Sequence, residues 1–125
     1  MRKFIGVCVV LLSLAFVVMG VAMAAEGGGK PKHTIAEVMK NAHQDKLLNK
    51  VLSGQASQEE KLVLLDNYVS LVECEPPRGD MNSWHKLAGG LALASAKVVV
   101  GRDGALPELK AASNCKTCHD VHKEP

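Results

Sequence analysis

Between residue 25 and the C-terminus the only Phe, Tyr or Trp residues are Tyr68 and Trp84. A domain of about 100 residues buries only roughly two-thirds of the surface its unfolded chain exposes. Leu, Val and Ala without large rings leave such a core short of bulk, with room for something that is not a side chain. The count starts at residue 25 because residues 1–24 read as a secretory signal peptide. Met1-Arg2-Lys3 is a short basic head, residues 4–21 are an apolar run, and Ala22-Met23-Ala24 is an A-x-A cleavage site. Phe4 and Phe16 leave with it, and Cys8 falls too early in the run for lipoprotein acylation. A retained anchor is the alternative, since about 20 apolar residues span a bilayer. Cleavage implies a periplasmic or otherwise extracytoplasmic protein without stable membrane insertion. The remaining 101 residues carry thirteen basic and thirteen acidic side chains. That is one neutral domain with no basic stripe, which argues against nucleic acid as a partner.

The pattern along residues 25–125 is helical. Residues 25–33, rich in Gly and Lys, read as a flexible tether with nothing to bury. Thr34-Ile35-Ala36-Glu37 has capping-box spacing and opens a first helix with Ile35, Val38, Met39 and Ala42 on one face. Leu47, Leu48, Val51 and Leu52 fall nearly opposite at about 100° per residue, so the helix is interrupted near His43-Gln44-Asp45 or its second half is covered from another side. Gly54 suits a helix stop, and Ser57-Gln58-Glu59-Glu60 opens a second helix with Leu62, Leu65, Tyr68, Val69 and Val72 expected inside. Pro76-Pro77-Arg78-Gly79 forces a turn. Asp80 or Ser83 caps a third helix with the stripe Trp84, Leu87, Ala88, Leu91, Ser95, Val98, ending at Gly101. A fourth starts near Gly104, with Pro107 at its first position, and runs through Leu109 and Ala112 into Cys115. No hairpin signal or long alternating stretch is present. The expected fold class is all-α, an antiparallel four-helix bundle over residues 34–125.

The chemistry lies in Cys115-Lys116-Thr117-Cys118-His119, a CxxCH string. Two thiols three residues apart can add to the two vinyl groups of one haem, and the adjacent imidazole then reaches the iron from the same side. Export fits this, because c-type haem is attached outside the cytoplasm. A thioredoxin-type disulfide would want a strand before the motif, and none is present. A zinc site from Cys115, Cys118, His119 and His122 would need all four ligands within eight consecutive residues, tighter than usual zinc spacing. One covalently attached haem c also accounts for the missing rings, since a porphyrin is a large flat apolar plate.

The position of the motif adds to its meaning. Only six residues follow His119 and none is methionine, which argues against class I cytochromes c, where a downstream methionine completes the iron site. A CxxCH on the last helix of a four-helix bundle resembles the class II cytochromes c, the cytochromes c′ and their low-spin relatives. In architecture the resemblance covers residues 25–125, and in residues only the last motif. Members often read CxxCHxxF(R/K), and here Lys123 holds the basic position while His122 replaces the aromatic residue. The arginine expected on the first helix is also missing.

What the resemblance implies is a first helix passing over the distal haem face. Low-spin members offer a methionine from it, and cytochromes c′ leave the iron open. Met39 is therefore the expected sixth ligand, with His43, one turn on and about 40° around the helix, as the less favoured candidate. His122 is on the proximal side and is expected at the haem edge or in solvent, and His85 and His33 at the surface. Met81 reaches the haem only if its loop folds over it. Cys74, left unpaired, is either a buried thiol or an intermolecular disulfide partner. The function expected is a monohaem electron carrier that meets redox partner proteins through small, weak contacts. The alternative is a five-coordinate, cytochrome c′-like protein binding nitric oxide or carbon monoxide; a third reading is a haem-free interaction module with a CxxC disulfide. No acid/base pair or nucleophile constellation points to a conventional enzyme. Class II relatives are often homodimers through their first two helices.

Overall fold

The computed structural model describes residues 30–125. The expected signal peptide and Cys8 lie outside the described residues. Among those described there are six α-helices, one π-helical segment and no strand. No described helix is long and apolar enough to cross a membrane.

Local signals set most helix starts. The Thr34 hydroxyl accepts from Glu37 N at 3.2 Å, and the Glu37 carboxylate accepts from Thr34 N at 2.7 Å. This capping box opens α1 (Ile35–Val38). The chain continues as a π-helix over Met39–Gln44, closed when Asp45 N donates to Lys40 O. Lys46 then adopts a left-handed φ of 62° before α2 (Leu47–Leu52). The π turns and this break resolve the phase conflict in the sequence. Val38 and Ala42 are buried before it, and Leu48 and Val51 after it.

Ser57 and Glu60 form the second capping box, at the start of α3 (Gln58–Glu73). After a short connection, Asp80 caps α4 (Met81–Val99) by accepting from Ser83 N at 3.0 Å. These two long helices form a hairpin that is the spine of the molecule. The α1, π and α2 segments pack on α3, while α5 (Ala105–Ala112) packs on α4 and α2. The Trp84 indole N–H donates to Leu71 O at 3.0 Å, fastening the hairpin internally.

Three expectations about local structure change. The inner face of α3 is Leu64, Asn67, Tyr68, Ser70 and Leu71, whereas Leu62 and Val69 are 48% and 43% exposed. Asn67 and Ser70 can be buried because Asn67 donates to Val63 O and Ser70 to Asp66 O within the helix, so the buried arc includes polar positions. The fourth helix is two: α5 stops at Ser113, and Asn114 caps a separate α6 (Cys115–His122) by accepting from Lys116 N at 3.1 Å. Pro107 is the third residue of α5 rather than the first, still within the first turn, where a missing N–H costs no helical bond.

Residues 32–33, in the expected tether, lie against α3. Lys32 Nζ and His33 Nε2 reach Asp66 at 2.8 and 3.2 Å. Cys74 is 6% exposed, and its thiol lies 3.3 Å from His33 O. A buried thiol is thus observed, not one presented for an intermolecular disulfide.

A candidate haem cavity

Helix α6 places the CxxCH string. Cys115 and Cys118, three residues apart, lie near one another on its surface. Cys115 is exposed; Cys118 is half-buried and packs against the core. Both are free thiols. Burial, and then the neighbouring Cys115, push the Cys118 thiol above its ordinary pKa.

The helix is held from its far end. His122 is 2% exposed, with Nδ1 2.9 Å from Arg78 O and Nε2 3.0 Å from the Ser83 hydroxyl. A carbonyl only accepts, so Nδ1 carries a proton. The ring also meets Trp84 edge-on at 5.3 Å between centroids, and Arg78 donates to Asp120 O at 2.7 Å. Of the two places expected for His122, solvent is excluded: it is buried at the border of the cavity, where it anchors α6. The turn that receives it is built for close approach. Gly79 has φ +83°, and a Cβ there would lie 2.5 Å from His122 Nδ1.

Between α6, the α1–π segment and α4 lies a predominantly apolar cavity of about 900 Å³. Met39, His43, Cys115, Cys118 and His119, far apart in sequence, all line it. Leu87, Gly90 and Leu91 contribute from α4, and Ala111 and Ala112 from the end of α5. These small and apolar side chains suit a flat apolar group, and the thiols and imidazoles at the wall are the donor set that a c-type haem takes. The four-ligand zinc reading fits poorly, because both nitrogens of His122 are already engaged.

His43 is half-buried in the π segment, with its ring 6.0 Å from that of Tyr68 and tilted by 47°. Burial, and then the charge of His119, hold its pKa below the ordinary histidine value, favouring the neutral, ligand-competent imidazole. Tyr68 is fully buried, and its hydroxyl has no hydrogen-bond partner. Burial is the main reason its pKa is raised. Met39 is half-buried and packs against the core. His85 is exposed, as expected, and His33 is half-buried on Asp66.

Sequence reasoning missed Tyr68 as a neighbour of His43, the Asn114 cap and the seat for His122. The cap had a local signal, an Asn just before the motif. The other two depend on residues 25 and 44 positions apart and had none. Comparison with protein-family models, curated proteins and solved structures finds no match to this chain.

Proposed function

We propose that the protein is an exported monohaem c-type cytochrome that carries single electrons between redox proteins. The observation that supports this is the convergence of Cys115, Cys118 and His119 with Met39 and His43 on one apolar cavity. On this reading Cys115 and Cys118 would hold the haem covalently through their thiols. The His119 imidazole, on the same helix, would be the ligand to its iron. Haem, when bound, supplies an iron that cycles between ferrous and ferric states. The chain excludes water with Leu87 and Leu91, fixes the proximal helix through His122, and limits movement around the site through the α3–α4 hairpin.

The proposed architecture is of the class II type. The interrupted α1–π–α2 unit takes the place of the first helix, α3 and α4 the second and third, and α5–α6 the fourth. The test is a visible spectrum of protein exported from a host with haem-attachment machinery, in both oxidation states and with carbon monoxide. A ferrous low-spin spectrum that ignores carbon monoxide is expected. A haem-free product overturns the cytochrome reading. A high-spin spectrum that shifts with the gas replaces the carrier with the gas-binding protein.

A further inference from the structure

We propose that His43, and not Met39, supplies the sixth ligand, with the ring of Tyr68 setting the attitude of the imidazole. The inference rests on the haem reading above and departs from the ligand that the family resemblance implies. Sorting the five histidines by their partners isolates the pair. His33 is engaged by Asp66, His122 is bonded at both nitrogens, and His85 is exposed. His43 and His119 remain, half-buried and without side-chain hydrogen bonds among the described residues, and they enter the same cavity from different elements.

A partly buried imidazole with both nitrogens unbonded is free to act as a metal ligand, and a metal held by the CxxCH helix would engage it. Its geometry is already constrained. Tyr68 cannot move away, being fully buried, and its ring lies against that of His43. Met39 also lines the cavity, but it packs against the core, as a flexible apolar side chain does in any irregular gap. The π-helical segment Met39–Gln44 carries both residues; such turns are frequent at functional sites, which marks the segment without choosing between the two.

The experiment uses the full chain carrying covalent haem, scored first by haem staining of the denatured protein. That score fails only if the cytochrome reading itself fails. Electron paramagnetic resonance and near-infrared magnetic circular dichroism of the ferric wild type then separate bis-imidazole from imidazole–thioether ligation without any variant. A bis-imidazole signature is expected. His43→Ala is expected to turn high-spin and to recover the low-spin spectrum when free imidazole is added, whereas Met39→Ala stays low-spin. A thioether charge-transfer band in the wild type, lost in Met39→Ala, overturns the proposal. So does a five-coordinate wild type.

Discussion

Ser95 is 1% exposed on α4, and its hydroxyl finds no partner. A buried, unpaired hydroxyl costs desolvation with no bond in return, and Ala is the better helix former. Ser95→Ala is therefore expected to raise the unfolding free energy by about 1 kcal/mol, seen as a higher urea midpoint with unchanged slope. Asp66 is a surface counterpart. The bond from Lys32 is the largest influence holding its carboxyl below the ordinary value, with His33 adding to it. A folded pKa below the unfolded value of about 3.9 means the contribution is full above that pH and disappears as pH falls through the folded pKa. At 41% exposure it amounts to a few tenths of a kcal/mol at most. Asp66→Asn should thus be slightly less stable than wild type near neutrality and converge with it in acid, measured by urea titrations at several pH values.

At the scale of elements, α6 depends on a glycine in another loop. In Gly79→Ala the new Cβ meets His122 and the backbone acquires a φ that L side chains rarely adopt. The ring must leave the Arg78 carbonyl or the loop must shift. A loss of about 2–4 kcal/mol is expected, together with faster amide exchange concentrated in Cys115–His122. Equal exchange across all helices would show that the loop does not anchor α6. The salt bridges between elements, Lys50–Glu60 and Lys97–Glu108, are solvent-exposed and contribute little to holding those elements together.

For the molecule as a whole, the cavity of about 900 Å³ is a substantial departure from close packing. Its walls come from α1 and the π segment, from α4 and from the α5–α6 unit, so whatever fills it cross-braces elements distant in sequence. If the proposed haem fills the cavity, Cys115→Ala/Cys118→Ala, made without it, should remain helical but melt well below the wild-type protein, because the apolar contacts across the cavity are lost. Circular dichroism melts of the two forms check this. Equal melting temperatures would mean that the α3–α4 hairpin carries the stability alone.

The sequence by itself determined what short-range chemistry controls. Thr34, Ser57 and Asp80 begin helices because their oxygens satisfy N–H groups three residues on. Gly54 and Gly101 follow helix ends because positive φ is cheap only for glycine. The all-helical class and the spacing of the two thiols belong to the same range. Tertiary structure decided the rest. Leu62 and Val69 have the spacing of a buried stripe, yet they face out because α3 is covered on the arc containing Asn67 and Ser70. That His122 is buried as an anchor is not legible locally, because its partners, Arg78 and Ser83, are reached only after the chain folds back on itself. Periodicity says which residues share a face of one helix, but which face another element covers depends on packing between segments distant in sequence, and that information is not local.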